Sequence, residues 1–380
     1  MTKPQIAVYY FPQYHPDPRN DVWHGKDWTE WELMKCARPR FEGHRQPKVP
    51  AWGYFDESDP EWAAKEIDLA ADSGIDAFIY DWYYYEDGPF LQDGLDKGFL
   101  RAANRDRIKF ALMWANHDWL DIHPMKAHGT PQLLASGKVT REAFDGACDH
   151  VIERYFSQPD YWTIDGEPYF SIYDIGALIE GLGGFAQTRD ALKNFRAKTI
   201  AAGHVGLHLN CVVWGIKVLQ GEKGVEEPEH VIPQLGFTSV GSYVWAHYYY
   251  PNWGGFPLGS MRAAADRNYE VWEELAAQYT TLPYHPNVTM GWDPTPRTTQ
   301  SDVFEPRGYT WTSILQDDPE IFEEALRRAK EFVMRPECKQ KIVTINAWNE
   351  WTEGSYLLPD TDHGTAYTDA IKAVYGEKGD

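Results

Sequence analysis

Lys341-Ile342-Val343-Thr344-Ile345-Asn346-Ala347-Trp348-Asn349-Glu350-Trp351-Thr352-Glu353-Gly354 is a strand-like run that breaks into a heptapeptide of tryptophans and carboxylates. Glu350 and Glu353 stand three residues apart. Acid/base work on a polar, uncharged substrate needs two carboxyl groups whose surroundings push their pKa values apart, together with rings that stack on a sugar face and exclude water. The bland alternative is a strand end with surface glutamates beside core tryptophans. The rest of the chain decides between them.

Working outward from that strand, short apolar runs alternate with helical patterns from end to end, the rhythm of repeated β-α units around a parallel sheet. The expected strands are Gln5 to Tyr10, Ala77 to Tyr80, Lys109 to Trp114, Pro168 to Tyr173, Gly206 to Val213, Ser239 to Trp245, Asn287 to Gly291 and Lys341 to Ala347. Helix ends are readable between them. Ser58-Asp59-Pro60 supplies a cap and an N1 proline before Glu61 to Ser73, which Gly74 stops, and Asp318-Pro319 opens another helix in the same way. Phe144, Cys148, Val151, Ile152 and Tyr155 recur at helical spacing, as do Ile321, Ala325, Ala329, Phe332 and Val333. Eight strands with interposed helices predict an α/β fold, a single (β/α)8 TIM barrel domain over residues 1–380 with long βα loops.

In such a barrel the chemistry belongs where the strands end, because the loops there converge over the mouth. Tyr10 and His15 follow the first strand, Asp81, Trp82 and Tyr83 the second, and Trp114, Asn116 and His117 the third. Tyr173 follows the fourth, Trp245 and His247 the sixth, and Trp292 the seventh. Asn349 and Trp351 flank the first glutamate of the eighth. An aromatic beside a polar group at nearly every strand end suits a deep sugar cleft, so all these residues are expected to bind substrate around a catalytic Glu350 and Glu353. Aspartates are also favoured in turns for local reasons, and aromatics also fill loops. Trp23, Trp28 and Trp31, in the long segment after the first strand, are expected to form a lid over the cleft.

Composition supports a carbohydrate partner. The 17 Trp, 23 Tyr and 17 Phe exceed what a core needs, while a formal net charge of -21 repels nucleic acid and anionic membranes. The four cysteines are scattered, without a C-x-x-C pair, and read as ordinary buried thiols. Neither a dinucleotide fingerprint nor a Walker loop is present, and no cofactor or metal is expected. His204 with His208, and Asp360-Thr361-Asp362, offer only weak metal patterns. Met1-Thr2-Lys3-Pro4 leads straight into a strand, and no run of about 18 apolar residues occurs, so the expectation is a cytoplasmic protein without membrane insertion. Oligomeric state is not legible.

Tyr9-Tyr10-Phe11-Pro12-Gln13-Tyr14-His15, Trp28-Thr29-Glu30-Trp31, Phe41-Glu42-Gly43-His44, Gly74-Ile75-Asp76-Ala77-Phe78, Trp114-Ala115-Asn116 and Trp348-Asn349-Glu350-Trp351 resemble, in order, the WbsX-like family. That family is related to glycoside hydrolase family 99, endo-acting α-mannosidases on (β/α)8 barrels. The resemblance implies that Glu350 acts as base on the substrate 2-hydroxyl, which displaces the leaving group through an anhydro-sugar. Glu353 would then be the acid that protonates the leaving oxygen and later the base that activates water, with retention of configuration. Two positions depart from the family pattern. His117-Asp118 follows Asn116 where a glutamate is common, and Leu358 stands where an acidic residue is frequent. The resemblance therefore implies a retaining glycoside hydrolase acting on an α-linked, mannose-like poly- or oligosaccharide. The alternatives are a glycosyltransferase of bacterial surface polysaccharide synthesis and a non-catalytic sugar-binding barrel.

Overall fold

The computed structural model describes residues 3–249 and 255–376. Its centre is a ring of parallel strands: β1 (Gln5–Tyr10), β2 (Ala77–Tyr85), β3 (Lys109–Trp114), β4 (Glu167–Ile172), β5 (His208–Val212), β6 (Ser239–Gly241), β7 (Tyr284–His285), β8 (Asn287–Thr289) and β9 (Ile342–Asn346). Their order is β7-β6-β5-β4-β3-β2-β1-β9-β8. Only Pro286 separates β7 from β8, so the two outer members of that order are halves of one strand, and the ring is a (β/α)8 barrel. Proline has no N–H to give a ladder, which is why the strand divides there. β7 pairs with β6 and β8 pairs with β9. The seventh strand thus begins three residues before its expected start, and the sixth stops at Gly241, leaving Trp245 in a short 3-10 turn.

Helices sheathe the ring: α1 (Pro60–Ser73), α2 (Arg141–Val151), α3 (Phe185–Ala201), α4 (Met261–Gln278), α5 (Pro319–Val333) and α6 (Ala366–Tyr375). The expected caps are present, with Asp59 accepting from the Glu61 N–H and Asp318 from those of Glu320 and Ile321. Gly74, at φ 90°, ends α1 in the left-handed conformation that glycine adopts without strain. Each strand is almost wholly buried, and the barrel interior carries a hydrogen-bonded polar layer. Ser171 donates to Asn210, Asn210 donates to Ser239, and Asn287 donates to Thr344.

The long connections all leave the C-terminal strand ends: residues 11–59, 115–140, 213–227 and 290–318, with the chain after β9. They build the walls of one mouth. No helix among the described residues is long and apolar enough to cross a membrane.

Candidate active site

After β9 the chain does not run into a helix. Asn349–Glu350 turns back on Ser355–Tyr356 as a two-residue antiparallel ladder, with Trp351–Glu353 as a single 3-10 turn between them. Gly354 closes the turn at φ 63°, and a Cβ there would lie 2.7 Å from the Cβ of Asp293. Glycine is required on both counts. The turn aims Glu350 and Glu353 into a cavity of about 840 Å³, open mouth included, walled by Tyr83, Trp119, Tyr173, Trp292 and Tyr309. Asp81, His117, His123, Tyr243, His247 and Arg297 line it as well.

The two glutamates are buried to similar extents but hold different partners. Glu353 accepts from Arg297 Nη1 at 2.5 Å and from the Tyr309 hydroxyl. Glu350 has the weaker set: Tyr243 Oη at 3.3 Å from its Oε2, and Arg297 Nη2 at 3.7 Å from its Oε1. Burial, with the Glu353 carboxylate beside it, pushes the Glu350 carboxyl well above the usual range, against the pull of Arg297. Asp81 is also driven well up by burial, although Tyr243 donates to its Oδ2 at 2.8 Å.

Arg297 is the hub. Its Nη2 reaches both oxygens of Glu30 at 3.3 Å, and its guanidinium carbon lies 5.3 Å from the centre of the Phe11 ring. Burial opposes ionisation of Glu30, yet Arg297, His123 and Thr352 together bring its pKa down to about 2. A fixed carboxylate thus anchors the arginine from behind. Asp293 holds the arginine loop in turn, accepting from Gln46 Nε2 at 2.8 Å and Thr295 Oγ1 at 2.6 Å and pairing with His44 Nε2 at 2.9 Å. On the opposite wall Glu222 accepts from the Tyr173 hydroxyl at 2.6 Å and the Val218 N–H at 2.6 Å, tying residues 218–222 to the barrel rim.

The arrangement suits a neutral, hydroxyl-bearing ligand. Arg297 is the sole Lys or Arg lining the cavity among the described residues, and its charge is already shared by three carboxyl groups. Polar atoms without a protein partner in the cavity wall are Asp81 Oδ1, Trp119 Nε1, Trp292 Nε1, His123 Nδ1, His247 Nδ1 and Arg297 Nε. Those donors and acceptors, set among rings, match a sugar better than a phosphate. Among the described residues no group of three His, Cys, Asp or Glu is placed to hold a metal. Asp360 is spent on the Tyr356 hydroxyl and the N–H groups of Asp362 and His363.

The family described as Glycosyltransferase WbsX matches residues 6–371. The chain belongs to the WbsX family. WxcX from two strains of Xanthomonas campestris pv. campestris, B100 and ATCC 33913, is 28% identical over 379 residues, covering 97% of this chain and 49% of that protein. The chain therefore spans about half the length of these relatives. Among solved structures, a glycoside hydrolase-like protein superposes with a TM-score of 0.65 at 13% identity, covering 99% of this chain and 95% of that one. The GH99 endo-alpha-mannosidase from Bacteroides thetaiotaomicron gives 0.59 at 14% identity, covering 98% and 96%. At such identities the likeness establishes the fold.

Within this WbsX-family barrel, Asp81, Tyr83, His117, Tyr173, His247 and Trp292 join Glu350 and Glu353 in the cavity. The other expected binding residues lie outside its lining, for identifiable reasons. Tyr10 points away from the mouth and donates to Glu66 at 3.0 Å, while His15 pairs with Glu57 at 2.7 Å. Trp82 and Trp114 lie in the layer between barrel and helices, their ring centres 6.1 Å apart, and Trp114 Nε1 donates to the Tyr84 carbonyl. Trp245 Nε1 donates to the Asn287 carbonyl, and Trp351 stacks on Tyr356 at 3.8 Å. Asn116 and Asn349 are backbone clasps, the first bridging to Asp174 and the second to Phe11, each through two bonds of 2.8 Å.

In the segment expected as a lid, Trp31 Nε1 donates to the Phe55 carbonyl at 2.6 Å, while the Trp28 ring lies 5.8 Å from that of His123 in the cavity wall. Its contribution to the site is Glu30. Arg297, Tyr243, Tyr309 and His123 were not singled out by the sequence. For Arg297 a signal exists: Trp292-Asp293-Pro294-Thr295-Pro296-Arg297 places one arginine behind two prolines just past a strand end, a rigid mount for a charged group.

Proposed function

We propose that this chain is a retaining glycoside hydrolase that cleaves an α-linked bond in a polysaccharide or oligosaccharide whose sugar at the cleavage point bears a free 2-hydroxyl. The observation that carries the reading is the pair Glu350 and Glu353, buried in one ring-walled cavity with contrasting partners. Two carboxyls kept in different states are what acid/base cleavage requires. The proton that burial keeps on Glu350 passes first to the neighbouring Glu353 carboxylate, after which Glu350 takes the 2-hydroxyl proton while the 2-oxygen displaces the leaving group. Glu353 protonates the departing oxygen and then removes a proton from the water that opens the anhydro-sugar. Tyr309 and Arg297 fix the Glu353 carboxyl for both steps. The rings exclude bulk water from the pair.

A second reading, glycosyl transfer in bacterial surface polysaccharide synthesis, is favoured by the family's description. It asks the cavity to hold an activated donor. An anionic donor phosphate would meet Asp81, Glu350 and Glu353, and Arg297, the one Lys or Arg in the lining among the described residues, already faces three carboxyls, which disfavours it. The test is mass-spectrometric screening of a defined panel of α-linked glycans with wild type and Glu353→Gln side by side. Turnover by the wild type alone supports hydrolysis. Undiminished turnover by the variant removes Glu353 from its role, and thermal stabilisation by nucleotide sugars but not by oligosaccharides reverses the order of the two readings.

A further inference from the structure

The cavity is not walled by rings and polar groups alone. With β7 and β8 counted as one strand, β4 lies straight across the ring from β9, and β3 and β5 flank it. The loops that leave β3 and β5 bring Leu120, Ile122, Val218 and Leu219 to the cavity, all four half-buried. We propose that this aliphatic wall reads the C6 position of the bound sugar, and that the ligand contains a 6-deoxy-hexose unit whose C6 methyl packs there. The inference rests on the function proposed above only in taking the ligand to be a sugar.

Both loops hold these side chains on braced backbone. Trp119–Leu120 pairs antiparallel with Leu133–Ala135, the Asp121 N–H donates to the Gln132 carbonyl at 2.8 Å, and the Ile122 N–H donates to the Leu120 carbonyl at 2.9 Å. On the other loop Glu222 accepts from the N–H groups of Val218 at 2.6 Å and Leu219 at 3.1 Å. The two loops meet at Gly221. It takes φ 92°, and a Cβ there would lie 3.0 Å from Asp118 Oδ2. Asp118 is in turn fixed by the Gly137 N–H, which donates to its Oδ1 at 2.9 Å. Main-chain bonds and one buried carboxylate thus present the apolar side chains as one surface.

Such a surface is unusual for a sugar site. Pyranose rings are gripped by aromatic faces and by donors and acceptors for their hydroxyls, and branched aliphatic side chains offer neither. A hydroxymethyl group set against them gives up hydrogen bonds to water and gains none, whereas a methyl group leaves water favourably. Removing the hydroxyl at C6 is what puts a bare methyl on a hexose. An acetamido methyl arrives with an N–H and a carbonyl that need partners, and none of the four side chains supplies one. At C2 it would also replace the hydroxyl that the proposed reaction uses.

The test reads binding without cleavage. Saturation-transfer NMR titrations compare methyl α-glycosides of mannose, galactose and glucose, in both enantiomeric series, with their 6-deoxy counterparts. In at least one pair the 6-deoxy member is expected to bind about tenfold more tightly, the scale on which an apolar pocket separates ligands that differ by one small group. Ile122→Asn combined with Leu219→Asn is expected to bring that ratio to about twofold or less. Should the double variant fail to fold, Leu219→Ser alone is expected to cut the ratio by about half or more. The absence of any pair with a 6-deoxy preference, a ratio unmoved by the variants, or tighter binding of the 2-acetamido than of the 6-deoxy sugar overturns the assignment. Glycan cleavage without a 6-deoxy preference removes this inference alone. A 6-deoxy preference without cleavage of any glycan removes the hydrolase reading alone.

Discussion

Two sets of buried carboxyls flank the root of the Glu350 hairpin, and they differ in what faces them. In front, Glu350, Glu353 and Asp81 open on the cavity. Behind, Glu57 and Glu66 lie between the barrel and α1, enclosed by protein. Glu57 accepts from the Tyr14 N–H at 2.7 Å, pairs with His15 at 2.7 Å and receives Asn349 Nδ2 at 3.4 Å. Glu66 accepts from Tyr10 at 3.0 Å and from Trp348 Nε1 at 3.3 Å. Both sets are acidic, aromatic and almost wholly buried. The rear set grips the two residues that immediately precede Glu350, whereas the front set keeps oxygens available to a ligand. Burial of a carboxyl among rings therefore marks a structural pin as readily as a reactive group, and access to a cavity separates the two.

The comparison can be broken most severely at the front. Glu353→Gln is expected to lower turnover on any cleaved glycan by about 10³-fold or more while leaving binding intact, read by product formation and by calorimetric titration. At the rear the expected effect is on stability and its pH dependence. Burial and the neighbouring Glu57 raise Glu66 to about 8. A carboxyl raised on folding contributes stability that is complete below its unfolded value and is lost as pH climbs through the folded one. Urea unfolding should show wild type losing about 4 kcal/mol more than Glu66→Gln between pH 5 and 8.5. Equal losses would place the charge of Glu66 elsewhere. Glu57→Ala strands the Tyr14 N–H and His15, and should cost about 3 kcal/mol in the same assay at pH 7. The smallest change is Tyr309→Phe, which removes one donor from Glu353 and leaves Arg297 in place. About a tenfold fall in turnover with little change in unfolding free energy is expected.

The barrel was legible because strand and helix periods recur with clear caps, as at Asp59-Pro60 and Asp318-Pro319. The site was legible at the strand ends but without direction. Neighbouring residues of a strand face opposite sides, so Asp81 and Tyr83 enter the cavity while Trp82, between them, packs toward His150 on α2. Without a register, a run of polar and aromatic residues gives both faces equal claim. Tyr10 and Trp114 were drawn in by the same ambiguity. Arg297 and Tyr309 come from a loop of 29 residues, 290–318, that folds back over the mouth, a path no local pattern announces. Glu30 reaches the centre by a similar return from the loop after β1.

Gly354 ties several of these observations to one point of contact. Its missing side chain lets the Glu353 turn seat directly against Asp293, whose N–H donates to the Glu353 carbonyl at 2.5 Å. Asp293 opens the Pro294–Arg297 turn, so the Glu353 carboxyl and the guanidinium that pairs with it are mounted on touching backbones. The two behave like teeth of meshed gears: neither can rotate toward a ligand without carrying the other along. A bulky ligand that presses on Trp292 would be felt at Glu353 through main chain rather than through any side-chain adjustment, which makes the spacing of carboxyl and arginine a property of the frame and independent of occupancy.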